Sequence, residues 1–250
     1  ELSSLPADQA KAVDQQEDSE GEPDLVSIAK AQRMNTDVRR SIFVAIMSAT
    51  DFQDAYVRLM KLRLKRAQEY EIPRVLVHCT MEEDAHNPYY TLIARRLCGD
   101  MGRRIKVSFM YTLWNVFRKM GERNQLEEGE EDDESDEEDE NNALPMKSLV
   151  NLAKMYASLI ADNTLTLSVL KNLNFAYLRP KTKTFVELLI ISIIQQSQRQ
   201  GQKKKKKESK KKSAENGDQD ERAVMEIFLQ TRDTPQIVKG LIYFLRKVVA

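Results

Sequence analysis

Three highly charged segments constrain what this sequence can fold into, because they contain too few apolar residues to contribute to a packed core. Residues 1–24 carry eight acids and one base, and residues 127–140 carry twelve acids in fourteen positions. Residues 203–212 carry eight lysines. We therefore predict disordered segments at 1–30 (an acidic linker), 122–143 (an acidic insert) and 199–220 (a lysine-rich linker), with folded structure between them.

The segments between these linkers have apolar residues at helical spacing. Ile72, Val75, Leu76 and Cys79 follow an i, i+3, i+4, i+7 pattern, which predicts one buried helix face. A helix predicted over 103–120 has two apolar stripes, which indicates burial on two sides. Its second stripe consists of Val107, Met110, Tyr111 and Trp114. Residues 185–194 are apolar nearly all round, as expected for a helix packed centrally between neighbours.

Capping residues predict where several of these helices begin. Thr36, Thr50 and Asn87 stand at N-cap positions, and Pro88 occupies a first helical position, where its missing N–H costs nothing. No alternating strand pattern competes with these signals. We predict an all-α fold of nine or ten helices, stacked as antiparallel hairpins in a HEAT-like α-solenoid. It comprises a helical domain over 31–200 and a C-terminal helical hairpin over 221–250.

The net charge of zero conceals a basic body. Removing the charges of residues 1–24, the acids of 127–140 and the lysines of 203–212 leaves 30 bases and 19 acids, a net charge near +11. A basic body with acidic extensions suggests a polyanionic partner, or a partner that competes with the chain's own acidic segments. Nucleic acid is therefore the leading partner class.

No motif for catalysis, metal binding or nucleotide binding occurs in the sequence. His78, Cys79, His86 and Cys98 do not have the spacing of zinc ligands. His78 and Cys79 are neighbours on a helix, so their side chains diverge by about 100° and do not face each other as a base and a nucleophile would. We expect a non-enzyme without cofactor, metal or small-molecule substrate.

Cysteine content and apolar run length indicate the compartment. Two cysteines cannot form a disulfide framework, which favours free thiols in a reducing compartment. The longest apolar run, 185–194, is half of the roughly 20 residues that a membrane helix needs, so we expect no membrane partner. Because the chain begins with Glu1 rather than Met, we expect it to be the carboxyl part of a longer protein.

Basic residues cluster at the ends of predicted helices. The cations of 61–66 follow the second predicted helix, where the helix dipole favours them, whereas those of 103–106 open a helix, where the dipole disfavours them. The four arginines of 95–104 crowd one corner, which a bound phosphate or an acidic protein surface would explain. A solvated corner explains them equally well. The candidate partner-binding residues are Lys61, Arg63, Lys65, Arg66, Arg95, Arg96, Arg103, Arg104 and Lys106.

The lysine run and a serine in the acidic insert are candidates for regulation. The run favours a nuclear localisation signal over an RNA-contacting tail or a solubilising linker. It consists of Lys203, Lys204, Lys205, Lys206, Lys207, Lys210, Lys211 and Lys212. Ser135 is flanked by acids on both sides and suits an acidophilic kinase, although it is also an ordinary linker residue.

The opening of the folded part resembles an MA-3 (MI) domain. The resemblance rests on residues 33–43 (RMNTDVRRSIF), 46–48 (IMS) and 51–55 (DFQDA), and later on 68–69 (QE) and 75–82 (VLVHCTME). Residues 87–90 (NPYY) and 96–98 (RLC) are similar to the nucleolar members that carry an upstream middle domain of initiation factor four-gamma type. The resemblance covers about residues 30–200.

This resemblance implies a non-catalytic scaffold in the nucleolus that acts in small-subunit (18S) pre-rRNA processing. Its implied partners are the preribosomal particle, with its pre-rRNA and assembly proteins, and a DEAD-box RNA helicase related to initiation factor four-A. In that family the upstream middle domain, outside these 250 residues, is the expected helicase activator. A protein-only adapter and a splicing-complex member of the same domain family remain alternatives, and residues 87–90 favour the nucleolar branch over the splicing one.

Overall fold

The computed structural model describes residues 24–122, 144–208, 218–232 and 234–248, with side chains described except at 199–208, 218–221, 223 and 248. Within these ranges the chain forms ten α-helices, two 3-10 helices and no strand, which confirms the predicted all-α class. The α-helices are α1 (Leu25–Ala31), α2 (Asp37–Met47), α3 (Phe52–Lys61), α4 (Glu71–Glu82), α5 (Pro88–Met101), α6 (Arg103–Lys119), α7 (Met146–Ala161), α8 (Pro180–Glu208), α9 (Asp218–Leu229) and α10 (Pro235–Val248). The 3-10 helices are η1 (Gln68–Tyr70) and η2 (Leu167–Leu170). None of the helices in these ranges combines the length and apolar character that a bilayer span requires.

Helices that follow one another in the chain pack together, and α7 lies at the centre of the packing. It contacts α4, α5 and α8, and almost every position from Leu149 to Ala161 apart from Lys154 faces protein. The fully buried Tyr156 hydroxyl donates to the Phe109 carbonyl oxygen at 2.7 Å, which links α7 to α6 and satisfies a polar group that would be costly to bury alone. The stripe of Ile72, Val75, Leu76 and Cys79 on α4 is buried as predicted.

The predicted central helix over 185–194 corresponds to the first half of α8, and its position is less enclosed than expected. Phe185, Leu189 and Ile193 are fully buried against α7 and α9. Ile191, however, is 52% exposed, so this part of α8 is not covered on every side. The helix enclosed most completely is therefore α7.

Two of the three predicted N-caps are correct. The Thr36 hydroxyl accepts from the Arg39 amide, and the Asn87 side chain accepts from the Tyr89 amide with Pro88 at the first position. Thr50 is not a cap. Asp51 caps α3 instead, because its carboxylate accepts two amides, those of Gln53 and Asp54, each at 2.8 Å.

Helical structure also occurs where composition predicted linkers. α1 lies within the predicted acidic linker and is held by Ala29, which is fully buried where α1 packs on α2. α8 continues to Glu208 and α9 begins at Asp218, both inside the predicted lysine-rich linker. The α8 extension is rich in Gln, Lys and Arg, which have high helix propensity and need no core to extend a helix already begun.

Gly240 on α10 gives a testable consequence of close packing. A Cβ added there would lie 2.3 Å from Cδ2 and 3.0 Å from Cγ of Phe175, whose ring packs against this turn of α10. Gly240→Ala gains about 1 kcal/mol of helix propensity but overpacks the contact by about 1–3 kcal/mol. We expect a net loss in the free energy of unfolding, measured by urea denaturation. Phe175→Leu should remove most of that loss in the double variant, and a Gly240→Ala protein more stable than the parent would contradict the packing.

Candidate nucleic-acid interface

The last residue of α3 and the chain that follows it towards η1 carry four cations on one short segment, here called the basic loop (residues 61–66, KLRLKR). Leu62 and Leu64 are half-buried and pack against the hydrophobic core. Because these leucines alternate with basic residues, anchoring them turns the neighbouring side chains outward. All four cations, Lys61, Arg63, Lys65 and Arg66, are exposed.

The cations of the basic loop have no counter-charge among the residues that the structure describes. In the parts of the chain that the structure describes, no carboxylate pairs with any of the four, although Arg58 on the same α3 pairs with Asp54 at 2.9 Å. Like charges held close together repel one another, and an external anion relieves that repulsion. The basic loop is therefore suited to a polyanionic ligand.

The backbone of Arg63 has a positive φ of 46°, a conformation that side chains other than glycine rarely adopt. Arg63 follows the C-cap of α3, and its amide donates to the Met60 carbonyl oxygen at 3.2 Å, as in helix endings that usually place glycine at this position. The left-handed conformation costs a non-glycine residue about 1 kcal/mol. An arginine here thus adds charge to the basic loop at some cost in stability.

The arginines predicted to crowd one corner have partners on different elements of the fold. Arg95 bonds through its Nε to the Asp162 carboxylate at the end of α7, and Arg96 pairs with Asp100 on its own helix at 3.0 Å and lies 5.1 Å from the Tyr56 ring centroid on α3. Arg104 also has a partner, Glu69, at 2.8 Å. Carboxylates of the chain therefore offset the positive charges of three of the four arginines. The arginines therefore do not require an external anion, and their binding role stays a prediction.

Arg104 contacts the element that follows the basic loop, and Arg103 precedes Arg104 on α6. The Arg104–Glu69 ion pair joins the start of α6 to η1, and the Ser108 hydroxyl donates to the Tyr70 carbonyl oxygen at 3.3 Å. η1 directly follows the basic loop, so these contacts fix the loop next to the first turns of α6. Arg103 is exposed and has no ion-pair partner among the described residues.

The remaining predicted residues stand apart from this surface or outside the described part of the chain. Lys106 is half-buried, and no carboxylate of the described ranges pairs with it. The backbone of Lys203–Lys207 belongs to the end of α8. Lys210, Lys211, Lys212 and Ser135 lie outside the described residues, so the nuclear signal and the phosphosite stay predictions.

The thiols and imidazoles are in surroundings that disfavour their reactive or charged forms. Burial raises the pKa of Cys79 and of Cys98 to about 12, so both remain thiols at neutral pH. Burial also lowers the pKa of His78 and of His86, which favours neutral imidazoles. Within the described ranges, no group of three His, Cys, Asp or Glu side chains is arranged to hold a metal ion.

Two exposed tyrosines beside the cations were not predicted as site residues. Tyr70 at the end of η1 is 44% exposed, and Tyr111 on α6 is 53% exposed although the stripe pattern predicts its burial. The sequence signal that identifies them is weak: α6 carries five Lys or Arg residues and no Asp or Glu, so its second apolar stripe lies within a strongly basic segment.

Comparison with known proteins identifies the fold family. Residues 38–166 match the MA3 domain. The chain is 34% identical over 170 residues to Suppressor of glycerol defect protein 1 of Schizosaccharomyces pombe, covering 68% of this chain and 20% of that protein. It is also 34% identical over 172 residues to human Nucleolar MIF4G domain-containing protein 1, covering 68% of this chain and 17% of that protein. A Xenopus laevis protein named Pre-mRNA-splicing factor CWC22 homolog is 26% identical over 158 residues, which cover 63% of this chain and 17% of that protein. The chain thus spans about a fifth of the length of the curated relatives it matches.

Proposed function

The chain belongs to the MA3 domain family, and we propose that it is the non-catalytic docking domain of a nucleolar assembly factor for the small ribosomal subunit, acting in 18S pre-rRNA processing. The relatives that share 34% identity support the nucleolar branch, because one of them carries the word nucleolar in its name. The proposed partners are the preribosomal particle, through pre-rRNA and assembly proteins, and a DEAD-box RNA helicase related to initiation factor four-A.

The observation that carries the RNA part of this proposal is the basic loop, whose four cations pair with no carboxylate of the described residues. Four exposed cations on six consecutive residues can contact several phosphates of one RNA strand, whereas a single carboxylate would offset only one of them. Phosphate contacts of this kind position a protein on RNA without reading its sequence. Sequence-independent docking suits a factor that is brought to one particle by additional protein contacts.

A splicing role is the second candidate, because a relative named as a splicing factor shares 26% identity. The weaker identity ranks it below the nucleolar role. A protein-only adapter is the third, and it is supported by the pairing of Arg95, Arg96 and Arg104 with carboxylates of this chain, because an acidic protein would offer the same group.

Ultraviolet crosslinking of the full-length protein in cells, followed by sequencing of the attached RNA, tests the three candidates together. We expect crosslinks in 18S precursor RNA, and we expect them to fall when residues 61, 63, 65 and 66 of the basic loop are changed to glutamine. Crosslinks to spliceosomal RNA in place of pre-rRNA would favour the splicing role. A particle-bound protein without RNA crosslinks would support the adapter.

A further inference from the structure

The outward side of α6 carries aromatic side chains where the sequence predicts a second buried stripe. Here it is called the α6 face, defined by Arg103, Val107, Tyr111 and Trp114. Val107 and Trp114 are only half-buried, and Tyr111 is 53% exposed. The opposite side of α6 is buried through Ile105, Phe109 and Leu113. The α6 face is therefore only partly covered by the described residues, and Tyr111 is its most exposed ring.

Contacts with η2 and the residue that follows it hold the aromatic rings of the α6 face in place. The Trp114 indole Nε1 donates to the Val169 carbonyl oxygen of η2 at 2.8 Å, and the Lys171 ammonium lies 5.0 Å from the centroid of the indole ring. The Tyr111 ring meets Trp114 edge to face, with centroids 5.0 Å apart and an interplanar angle of 81°. Trp114 thus orients the exposed ring of Tyr111, so little rotamer entropy would be lost on binding a ligand there.

The helix that carries these rings is rich in cations and has no carboxylate of its own. α6 has five Lys or Arg residues and no Asp or Glu, and Lys171 adds a cation from beyond η2. On the other side, the Ser108–Tyr70 hydrogen bond brings the exposed Tyr70 and the preceding basic loop to α6. The nearest carboxylate in the contacts described, Glu69, is neutralised by Arg104 at 2.8 Å. Tyr70 and the end of the basic loop are thus linked through α6 to Tyr111, Trp114 and Lys171.

We propose that the α6 face and the basic loop bind single-stranded RNA, with unpaired bases stacked on Tyr111 and Tyr70 and phosphates paired with Arg103 and the cations of the loop. The proposal rests on the RNA contact in the proposed function and specifies its form. Base stacking on aromatic side chains is available only to unpaired bases, because a duplex hides the base faces. The interface therefore selects unpaired segments, while phosphate pairing alone would accept duplex RNA equally well.

Binding of a mixed-sequence RNA of about 12 nucleotides without self-complementarity, and of the same strand in a duplex, tests this proposal on the 250-residue chain. Tyr111→Ala should weaken single-strand binding by about 5- to 100-fold with an unchanged salt slope, because it removes a stacking ring and no charge. Tyr70→Ala should have a smaller effect of the same kind. Tyr111→Phe keeps the ring and should bind within about twofold of the parent. Tyr243→Ala is the matched control, since Tyr243 on α10 is exposed to the same 44% as Tyr70.

Trp114 provides a second readout that needs no substitution. It is the only tryptophan in the chain and supports the Tyr111 ring, so single-stranded RNA should quench its fluorescence more than an equal concentration of duplex. Equal binding of both RNA forms, or a Tyr111→Ala protein that binds like the parent, would overturn this inference while the effect of the basic loop still supports RNA docking. Absence of RNA binding by the parent at 50 mM salt, a condition that exaggerates phosphate contacts, would overturn the RNA part of the proposed function as well.

Discussion

Changing Lys61, Arg63, Lys65 and Arg66 together to glutamine should weaken the binding of single-stranded RNA several-hundred-fold at 0.1 M salt. Each phosphate contact releases condensed counterions, and on single strands the log–log salt slope changes by roughly 0.7 per contact. Four lost contacts flatten the slope by about 2.8, which corresponds to about 2.8 decades of affinity between 1 M and 0.1 M salt. Filter binding or fluorescence anisotropy over this salt range measures both quantities.

A matched variant distinguishes the effect of contacts made by the basic loop from the effect of the protein's net charge. Lys154, Arg232, Lys239 and Arg246 are also exposed but lie on α7, between α9 and α10, and on α10, and changing them to glutamine removes the same charge. Because screening limits interactions between exposed charges to about 10 Å at 0.1 M salt, we expect this set to alter the slope by less than one unit. Equal slopes for the two variants would mean that the protein attracts RNA through its overall charge and that the basic loop is no specific site.

The helices could be predicted from the sequence because their determinants are local. Thr36 and Asn87 act as caps through contacts within three residues, and the buried stripe of α4 repeats within one helix. α1 could not be predicted from composition, because it depends on packing against α2 through a single buried alanine, Ala29. The enclosure of α7 rather than α8 likewise depends on which helices become neighbours, which no local pattern records.

The candidate site could be predicted only in part, because some of its charges pair with residues that are distant in the sequence. Arg95 pairs with Asp162, which is 67 residues away, and Arg104 pairs with Glu69. The sequence alone does not indicate either partner, so both arginines look uncompensated until the fold is known. The sequence identifies the basic loop, and the dipole of α3 is enough to explain why cations occur there. The alternation of these cations with Leu62 and Leu64 explains the exposure better, since the leucines anchor the segment and leave the cations in solvent.

Ile190→Asp should lower the melting temperature strongly at pH 7, whereas Ile191→Asp on the adjacent position should have little effect. Ile190 is 5% exposed on the side of α8 that faces the core, and Ile191 is 52% exposed. An unpaired carboxylate at the buried position costs several kcal/mol, comparable with the whole stability of a domain of about 5–15 kcal/mol. Surface substitutions such as Ile191→Asp usually change stability by about 0.5 kcal/mol. Thermal melts followed by circular dichroism compare the two variants.

The pH dependence of the Ile190→Asp melt identifies the cause of the loss. Burial raises the pKa of a carboxyl in the folded state above its unfolded value of about 3.9, so the penalty is smallest below that pH, where both states are protonated. The penalty grows as the pH rises towards the folded pKa, and the variant should therefore melt at lower temperature near pH 7 than near pH 4, relative to the parent at each pH. Ile190→Asn buries a polar group that does not titrate and should show no such difference. If Ile190→Asp melts cooperatively at the parent's temperature at both pH values, α8 does not bury this position, and the packing of α8 between α7 and α9 is wrong.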